Sequence, residues 1–570
     1  MHIEIEKESI LSLPSETASS LKFGLLCDSL TLQQWQVDTV KLLIENDIQL
    51  KVLILNENET EKPSFFEKWW RYPYRRLLFR VWSRFFFKPK ARFPKSINPL
   101  LPENVIVLKA KTTQKSGANY FSETMIRQLK EQKLDFLLRF GFDIIRGEIL
   151  TVAKYGVWSF HHDDEMFFRG TPPGFWEFVN GIDKNGVILQ RLTDKLDKGF
   201  ILKKVYFKTI KHAYKAHLDQ LLFESSCMPL QVCKQLLAEQ KLPEYLSESK
   251  AKIYKPPVNL KMIYFCFLSV YRRIAFHFHD LFFQEDWNVG FVWQAIETVV
   301  QNGKIKNEDV HWLQKPAKTQ YLADPTLFRS KDETYLFFEW YDYKKGKACL
   351  ANAKQSENFE LYHKILETPY HLSFPFVFGH EGMVYCIPES SCANRVELYR
   401  FDERQNKLLF ETVLLGNIQA VDPVLYWHEG LWYLFLTKKE QANTQLFIFY
   451  SEVLKGSFKE HFNNPVKTDI ASARSAGRIF AMGDRLVRPS QDSAAHYGSA
   501  LILNEIKELT PEVYHEETFA RIAPIASSVF DKGIHTLNGD AQMTVFDGKR
   551  FHFTFKGLKQ QWRQKRKKNA

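Results

Sequence analysis

The first half of the chain places a serine, a histidine and a carboxylate at spacings that suit acid–base chemistry. Ser159 and His161 lie two residues apart in the stretch GVWSFHHDDEMFFRG, and Asp197 follows about 36 residues later in a Leu-Asp-Lys-Gly turn. Residues i and i+2 of a strand share one face, so the hydroxyl and the imidazole are expected in one site. An imidazole oriented by a carboxylate can act as a general base near neutral pH.

The same stretch also has a metal interpretation. His162, Asp163 and Glu165 are residue types that ligate divalent ions. Consecutive residues rarely chelate one ion, however, and the sequence contains no distant His-rich partner. We therefore predict no metal site, and the remaining alternative to catalysis is a non-catalytic version of this domain.

The elements around this motif predict a doubly wound α/β domain of the Rossmann type. From Leu21 to Asn56 the pattern is a buried strand, a helix and a second buried strand, and Leu134 to Ile145 indicates a further strand. Strands that alternate with helices favour a parallel sheet whose carboxyl edge holds the ligand. The sequence has no GxGxxG or GxxxxGK[ST] motif, which disfavours a nucleotide phosphate site.

The bulk composition bounds the class of protein. A chain of 570 residues is too long for one core, so two or more domains are expected. Its seven cysteines are scattered without CxxC pairs, which favours a reduced, cytoplasmic protein. The N-terminus predicts no signal peptide, and no apolar run is long enough to span a membrane.

One segment interrupts the α/β pattern. Lys68 to Lys95 carries ten basic residues, ten aromatic residues and no acid. Arg76, Arg80, Arg84 and Lys88 recur every fourth residue, with Phe79, Trp82 and Phe86 on another face. This pattern indicates a basic amphipathic helix, and Leu260 to Phe283 indicates a weaker one. Packing on the chain's own domain, a membrane surface and a nucleic acid are the three interpretations, of which we favour the first two.

The second half repeats a motif with a period near 50 residues. A turn rich in Asp, Glu and Gly and then an aromatic strand follow each of five anchors, which are 50, 48, 54 and 64 residues apart. The anchors are Asp324, Phe374, Asp422, Ala476 and Asp540. This period is typical of a β-propeller, so we predict an all-β, five-bladed propeller between about Trp287 and Phe555.

The anchors are also the candidate binding residues of the propeller. Inner strands start near the central channel, so Asp324, Asp422 and Asp540 are expected to converge there. Fifteen residues after the anchors lies a second set: Glu339, Glu389, Thr437, Gln491 and Phe555. Convergent carboxylates suit glycoside hydrolysis or glycan binding. Arg474, Arg478, Arg488 and Gln491 would suit an anionic or hydroxyl-rich ligand, and the plain alternative is that each Asp-Pro pair only caps a strand.

The motifs of the first half resemble those of the folate-dependent formyltransferases, whose site reads Asn-x-His, then Arg-Gly, then Leu-Asp-x-Gly. Arg169-Gly170 and Leu196-Asp197-Lys198-Gly199 match this pattern, whereas Ser159 stands at the Asn position. The resemblance covers about Leu21 to Leu237. It implies His161, Asp197 and Ser159 as catalytic residues, and Arg169 and Gly170 as substrate-binding residues.

This resemblance implies formyl transfer from 10-formyltetrahydrofolate, the one cofactor predicted, to a primary amine. His161 would take the amine proton, and Asp197 would orient His161. The missing Asn would have donated a hydrogen bond to the oxyanion, and losing such a donor typically costs roughly 2.7–4 kcal/mol. Ser159 has a shorter reach, so reduced activity and a different acyl group both stay open.

The second half resembles the five-bladed arabinanase and fructosidase type of glycosidase. From HLSFPFVF through IPES to RPSQDSAAHYG, it is more closely similar to the propeller of plant glucosamine inositolphosphorylceramide transferases. Such glycosidases take a base and a modulator from blades one and three, where Asp324 and Asp422 stand here. They take the acid from blade four, where this chain has Ala476 and Gln491, and Glu389 of blade two is the nearest substitute. The resemblance therefore favours glycan binding over hydrolysis as the role of the propeller.

The combined prediction is a cytoplasmic formyltransferase that acts on the amino group of a sugar, nucleotide sugar or glycolipid, with a glycan-binding propeller. A glycosidase-like or glycan-binding protein with a degenerate transferase domain is the alternative. The predicted substrate-binding residues are Arg169, Gly170, Asp324, Glu389, Asp422, Arg478, Gln491 and Asp540. No nucleic acid and no obligate protein partner are expected, and the inner membrane face is a candidate surface. The predicted domains are a tail (1–20), the formyltransferase-like domain (21–252, insertion 65–95), an aromatic linker helix (253–286), the propeller (287–557) and a basic tail (558–570).

Overall fold

The structure is a computed structural model that describes residues 20–58, 74–194, 199–246, 249 and 251–555. Along these residues an α/β sheet with helices on both faces is followed by a ring of five small antiparallel sheets. Both predicted fold classes are confirmed.

The first domain contains fourteen strands and six helices among the described residues. In chain order they are β1 (Lys22–Cys27), β2 (Thr31–Gln33), α1 (Gln34–Glu45), β3 (Gln49–Asn56), α2 (Leu77–Val81), β4 (Pro94–Ser96), β5 (Ile106–Ala110), β6 (Thr113–Lys115), β7 (Ala118–Tyr120), α3 (Glu123–Glu131), β8 (Phe136–Arg139), β9 (Val157–His161), β10 (Arg169–Gly170), α4 (Phe175–Asn180), β11 (Lys184–Arg191), β12 (Phe200–Lys208), α5 (Tyr214–Ser225), α6 (Met228–Glu239), β13 (Tyr245–Leu246) and β14 (Ile253–Tyr254).

The central sheet has eight strands in the order β13-β12-β11-β9-β8-β1-β3-β5. Strands β9, β8, β1, β3 and β5 are parallel, whereas β11 is antiparallel to both β9 and β12. The sequence analysis predicted a parallel sheet, so the antiparallel edge is an addition. For β11 and β12 the reason is length, because a parallel return needs a dozen or more residues and only residues 192–199 separate these two strands.

Helices cover both faces of this sheet, as the doubly wound prediction requires. Leu25 of β1 belongs to a core cluster that includes side chains of α1, α5 and α6. Leu26, the next residue, belongs to a separate cluster with side chains of α3. Neighbouring residues of a buried strand thus serve two cores, which explains its nearly continuous apolar sequence.

A long helix, α7 (Asn259–Phe282), leads from the first domain to the propeller. Only Met262, Phe265 and Leu268 of its 24 residues are buried. Phe265 packs edge-on against Trp82, which follows α2, with ring centroids 5.3 Å apart. Within the described ranges, no helix is long and apolar enough to cross a membrane.

The predicted basic helix is shorter than expected, and residues 59–73 of this region lie outside the described residues. Helix α2 is followed by one wider π turn, Trp82–Phe86, and Phe87 leaves the helix in an extended conformation. Phe79 and Trp82 pack inward as predicted, but Phe86 is 75% exposed. The wider turn rotates the following side chains around the helix axis, so that Phe87 contacts the core in place of Phe86.

The propeller contains twenty-one strands and one helix among the described residues. In chain order they are β15 (Phe283–Val292), α8 (Ile296–Asn302), β16 (His311–Trp312), β17 (Gln320–Arg329), β18 (Thr334–Asp342), β19 (Lys347–Lys354), β20 (His363–Leu366), β21 (Ser373–His380), β22 (Met383–Glu389), β23 (Arg395–Asp402), β24 (Lys407–Gly416), β25 (Ala420–His428), β26 (Leu431–Lys438), β27 (Gln445–Ser451), β28 (Lys459–Glu460), β29 (Lys467–Thr468), β30 (Phe480–Met482), β31 (Arg485–Asp492), β32 (Ala500–Leu509), β33 (Tyr514–Ile522), β34 (Leu537–Gly539) and β35 (Thr544–Phe553).

Five sheets of these strands form the blades. Blades one to four begin with β17, β21, β25 and β30, and each runs outward in chain order. The fifth blade joins both ends of the domain, because β35 pairs with β15 over ten residues in the order β16-β15-β35-β34. This pairing closes the ring and leaves fewer exposed sheet edges.

Three blades share one irregularity at the predicted anchors. Asp324, Phe374 and Asp422 have positive φ values of 53°, 43° and 47°, and the strand pairing shifts at each of them. A bulge of this kind re-aims a side chain and ends the regular pairing. The repeat recognised in the sequence is therefore a repeat of backbone conformation in these blades.

Candidate functional site

The carboxyl ends of three parallel strands surround a cleft in the first domain. Asp28 follows β1, Arg139 ends β8, and Ser159 lies in β9. The cleft has a volume of about 220 Å³, and Trp35, Phe140 and Phe160 also line it. Ligands of open α/β sheets bind at this edge of the sheet.

The loop after β8 shapes this cleft and shortens the predicted strand. Leu134 to Ile145 was predicted to be a strand, but β8 ends at Arg139. Phe142 and Asp143 have positive φ values of 64° and 47°, and the Phe142 N–H donates to Asp28 Oδ1 at 2.9 Å. This turn folds the chain back over the edge of the sheet.

Ser159 is held by an arginine that the sequence analysis did not select. Arg139 donates to the Ser159 hydroxyl oxygen from Nε at 3.2 Å and from Nη2 at 2.9 Å, and its Nη1 donates to the Asp143 carbonyl. Burial lowers the pKa of Arg139, while Asp143 and Asp28 oppose this shift. A guanidinium and a hydroxyl together offer donors to a polar or anionic ligand group.

His161 differs from its neighbour His162 in its surroundings. His162 is fully buried, its Nε2 lies 3.3 Å from Ser225 Oγ, and burial lowers its pKa to about 3. His161 is partly exposed, and its Nε2 lies 4.0 Å from Asp163 Oδ2. His162 lies on the other strand face with Phe160, and both of these side chains line the cleft, whereas His161 is not among the residues that line it. His161 is the more exposed of the two histidines, with 17% of its side chain accessible, although its Nε2 is buried next to Asp163.

A buried pair of acids lies behind His161. The Gly174 N–H donates to Asp163 Oδ1 at 2.6 Å. Burial and Glu177 raise the pKa of Asp163 well above its usual value, and burial raises the pKa of Glu177 to about 7. The pair therefore retains a proton near neutral pH, which makes Asp163 a weak substitute for an orienting carboxylate.

The three residues considered for a metal ion have separate partners. His162 contacts Ser225, Asp163 accepts from Gly174, and Glu165 forms an ion pair of 3.1 Å with Lys204. The structure thus does not bring these three side chains to one point.

The Arg-Gly motif forms a short parallel pairing. Strand β10 pairs with β14, and Arg169 Nη1 donates to the Ala251 carbonyl at 3.4 Å. Gly170 has a φ of +115°, and a Cβ there would lie 2.0 Å from the Tyr254 carbonyl oxygen. Gly170 is therefore required by the close approach of β14. Asp197 lies outside the described residues, so its predicted role stays a prediction.

Strand register identifies which propeller residues meet at the channel. Glu339, Glu389 and Thr437 pair with the residues directly before Asp324, Phe374 and Asp422, as predicted. In blade four the equivalent contact joins Gln491 to Arg474, so Ser475 is the anchor in place of Ala476. In blade five Gly533 bridges Lys549, so Ile534 and Lys549 take these positions.

The predictions of Asp540 and Phe555 as channel residues were wrong. Asp540 lies in the turn between β34 and β35, where it accepts the backbone N–H of Met543 and pairs with Arg329 at 3.0 Å. Phe555 follows the end of β35. Aligning the five repeats matched the hairpin turn of this blade with the inner bulges of the others, because Asp540 resembles the Asp of blades one and three whereas Ile534 takes that position in blade five.

The first polar cluster of the channel is built on Asp324. His535 is buried between two carboxylates, with Nε2 2.9 Å from Asp324 Oδ1 and Nδ1 2.8 Å from Asp547 Oδ2. Although burial opposes it, the charges of Asp547 and Asp324 raise the pKa of His535 to about 10. Burial and Asp324 raise the pKa of Glu339 well above its usual value. The cluster thus combines a protonated imidazole with a carboxyl that keeps its proton.

These residue types also match a metal site, but their geometry favours an ion-pair chain. Among the described residues, Asp324, His535 and Asp547 form the one group compatible with a metal ion. Each ring nitrogen of His535 lies within 3 Å of a carboxylate oxygen, and Asp547 also accepts from Thr536 Oγ1 at 2.6 Å. An imidazolium between two carboxylates accounts for all of these contacts.

The second polar cluster is built on Asp422. Arg474 Nε donates to Asp422 Oδ2 at 2.6 Å, and Gln491 Nε2 donates to the same oxygen at 2.7 Å. Burial and Asp422 raise the pKa of Glu389 to about 8, although Arg474 opposes the shift. The structure therefore brings Glu389, Asp422 and Gln491 together, as predicted.

The other predicted arginines have internal partners. Arg478 is partly buried and donates from Nη2 to the Val377 carbonyl of blade two. Arg488 is buried and pairs with Glu516 at 2.7 Å. Arg488 is thus part of the blade core, whereas Arg474 contacts the channel cluster.

Sequence reasoning missed a lysine in the channel. Lys549 is completely buried, lies 4.9 Å from the ring centroid of Trp287 and 5.7 Å from that of Tyr497, and pairs with Glu285 at 3.1 Å. Burial lowers its pKa. The signal for it is its place in the second strand of its hairpin, five residues after the first residue, because Glu339 lies five residues and Glu389, Thr437 and Gln491 lie six residues into theirs.

Comparison with known families separates the two halves of the chain. Residues 299–551 match the family model described as Glucosamine inositolphosphorylceramide transferase 1, N-terminal. That match covers nearly the whole propeller. Glucosamine inositolphosphorylceramide transferase 1 of Oryza sativa subsp. japonica is 32% identical over 207 residues, which is 35% of this chain and 28% of the relative. The chain thus spans less than a third of the length of this plant protein.

The first half has a different set of relatives. Methionyl-tRNA formyltransferase of Prochlorococcus marinus is 30% identical over 103 residues, which is 18% of this chain and 30% of the relative. A solved sugar 3N-formyl transferase, WlaRD, aligns at 14% identity over 42% of this chain and 70% of that chain, with a TM-score of 0.26. The sequence matches confirm both predicted resemblances, and the fold assignment depends on the strand topology given above.

Proposed function

We propose that this protein transfers a formyl group from 10-formyltetrahydrofolate to the amino group of a sugar, nucleotide sugar or glycolipid. The observation that carries the proposal is the position of His161, which lies partly exposed at the carboxyl end of β9 beside a buried, neutral His162. The relatives named methionyl-tRNA formyltransferase support the same reaction type.

The residues of the cleft fit a folate. Trp35, Phe140 and Phe160 offer aromatic surface to a planar heterocycle, and Arg139 offers charged donors to a polar or anionic group. The folate would supply the formyl carbon. His161 would accept the proton that the amine loses, and Ser159, polarised by Arg139, would donate its hydroxyl proton to developing negative charge.

The propeller would hold the sugar of the acceptor. Next to Glu339 lie partly exposed tyrosines, with the rings of Tyr321 and Tyr341 stacked at 4.7 Å and the Tyr321 hydroxyl donating to Glu339 at 3.3 Å. Aromatic faces beside hydrogen-bonding acids suit a ligand that is apolar on one side and hydroxyl-rich on the other. The match to a glucosamine transferase family supports a sugar-related acceptor.

Glycoside hydrolysis is the second candidate, and Glu389 favours it. A carboxyl with a pKa of about 8 beside a carboxylate is a plausible general acid. Asp324 and Asp422, however, are each occupied by an internal cation, His535 and Arg474. Both carboxylates would have to exchange these partners for substrate, so binding is the better-supported role.

One set of variants separates the two functions. Purified protein is incubated with 10-formyltetrahydrofolate and a panel of amino sugars and glycosides, and the products are identified by mass. We expect a formylated product that is lost in His161→Ala, with Asp324→Asn changing KM more than kcat. Sugar release that requires Asp324 and Glu389 but tolerates His161→Ala would assign hydrolysis, and no formylated product with any amine would overturn the proposal.

A further inference from the structure

Helix α7 presents an apolar stripe to solvent on the face opposite its core contacts. The exposed residues recur at helical spacing, and they are Leu260, Ile263, Tyr264, Phe267, Val270, Tyr271, Ile274 and Phe278. At 1.5 Å per residue the stripe is about 27 Å long. Single exposed apolar residues need no explanation, but a continuous row of this length indicates a binding surface.

The segment around α2 extends the same surface. Asn259, at the start of α7, accepts the Leu78 N–H at 3.0 Å and donates to the Tyr74 carbonyl at 2.8 Å. Phe79, Trp82 and Phe87 pack toward α7. Leu77, Leu78, Val81, Phe85 and Phe86 are exposed on the outer side. The two helices therefore form one apolar surface, which we call the α2–α7 face.

The charges around the α2–α7 face are predominantly basic. Residues 74–95 include eight Lys and Arg residues and no acid, and residues 251–282 include five and one acid, Asp280 near the end of α7. Arg75, Arg84, Lys261 and Arg273 are exposed beside the apolar side chains. A second copy docking through this face would oppose like charges, whereas anionic lipid headgroups would complement them.

We propose that the α2–α7 face docks the protein onto the interface of an anionic lipid bilayer. Apolar side chains would enter the acyl boundary while the basic side chains remain at headgroup level, as in interfacial amphipathic helices. Because no described helix can cross a membrane, both helices would lie in the plane of the interface. This inference does not depend on formyl transfer.

The docking surface is linked to the first-domain site through the backbone. Strand β14, which pairs with Arg169 and Gly170 in β10, ends five residues before α7 begins. Tyr254 of β14 also packs on Trp176, with ring centroids 4.8 Å apart. Membrane docking would therefore fix the Arg-Gly segment relative to the bilayer, which suits an acceptor carried by a lipid.

Vesicle flotation tests this proposal on the full chain. Wild-type protein is mixed with vesicles of phosphatidylcholine alone, or of equal parts of phosphatidylcholine and phosphatidylglycerol. Phe267→Asp with Ile274→Asp changes two residues that are 69% and 65% exposed, so folding should be unaffected. Leu361→Asp with Phe410→Asp, at exposed apolar sites of the propeller, is the matched control. Circular dichroism and the thermal midpoint confirm the fold of each variant.

We expect wild-type protein to float with the anionic vesicles. The α7 double variant should partition onto them at least about tenfold more weakly, because each lost side chain removes buried apolar area. The propeller control should float like wild type. Arg273→Glu should weaken partitioning about fivefold or more, and added salt should weaken the wild type similarly.

Two results would overturn the proposal. One is wild-type protein that remains unbound to anionic vesicles, or an α7 double variant that floats as well as the control. The other is a wild-type dimer in sedimentation that the α7 double variant converts to a monomer, without flotation of either. That outcome would assign the face to a second copy of the chain.

Discussion

Replacing Glu389 by glutamine should change how the stability of the propeller depends on pH. Glu389 lies between Asp422 and Ser391, whose hydroxyl donates to Glu389 Oε1 at 3.0 Å. Burial and Asp422 raise its pKa from 4.5 to about 8. Below pH 4.5 the carboxyl is protonated whether or not the chain is folded. Between pH 4.5 and 8 the unfolded state ionises while the folded state keeps the proton, so stability falls as pH rises.

The magnitude follows from the size of the shift. Each pKa unit corresponds to about 1.4 kcal/mol, so the full shift corresponds to roughly 5 kcal/mol. Relaxation and entry of water around the charged carboxylate reduce this penalty. We therefore expect Glu389→Gln to be more stable than wild type at pH 9 by at least about 2 kcal/mol. For a domain of the size of the propeller this corresponds to roughly 4–8 °C in Tm.

The assay compares Tm at pH 5, 6, 7, 8 and 9 by following the propeller transition. Glutamine mimics the protonated acid, because its amide can donate to Asp422 and its oxygen can accept from Ser391. Glu389→Gln should match wild type near pH 5 and exceed it at pH 9. Glu381→Gln, at a side chain that is 79% exposed, is the control and should follow wild type throughout. If Tm depends on pH in the same way in wild type and Glu389→Gln, the assignment of a protonated Glu389 in the folded protein is refuted.

Three further predictions concern other buried groups. The raised pKa of His535, about 10, stabilises the fold fully below pH 6.5 and is lost as pH rises through 10. His535→Gln should therefore lower the free energy of unfolding by about 3–5 kcal/mol at pH 6.5 and by much less at pH 10, as measured by denaturant titration. Gly170→Ala should lower the free energy of unfolding by about 2 kcal/mol or more, because the added Cβ would meet the Tyr254 carbonyl oxygen. Gly382→Ala is the control: its φ is also positive, +74°, but the space around it is open, so it should lower that free energy by only about 1–2 kcal/mol. Arg488→Met should lower the free energy of unfolding by about 3–5 kcal/mol, because it leaves the buried Glu516 carboxylate with only Lys467 and the Tyr514 hydroxyl as partners. Adding Glu516→Met should restore part of that loss. Equal stabilities of the single and double variants would contradict the assigned ion pair.

Features with a regular repeat could be predicted from the sequence. The strand–helix alternation from Leu21 to Asn56 and the 50-residue period gave both fold classes, because each reflects local patterns of apolar residues. The bulges at Asp324, Phe374 and Asp422 share a motif and were aligned correctly. The fifth blade was misaligned at Asp540, because its inner strand is only three residues long and its ring closure depends on β15, about 250 residues away.

Contacts between distant elements could not be predicted. Arg139 reaches Ser159 because β8 and β9 pair with Leu138 opposite Trp158, and the turn after β8 adds the Asp143 carbonyl as a second partner of the guanidinium. Lys549 and His535 belong to the channel through the register of β35, for which the sequence has no motif. The exposure of Phe86 follows from one widened helical turn after α2. Each of these features depends on tertiary packing, which overrides local periodicity.

A calorimetric titration with 10-formyltetrahydrofolate, or a stable folate analogue, tests the central claim most directly. We expect saturable binding to the wild-type protein, weakened binding to Arg139→Met, and retained binding to His161→Ala and Asp197→Asn, because His161 is assigned to proton transfer and Asp197 is predicted to orient it. The same His161→Ala protein should fail to form a formylated product. Absence of binding to wild-type protein at millimolar folate would contradict the account.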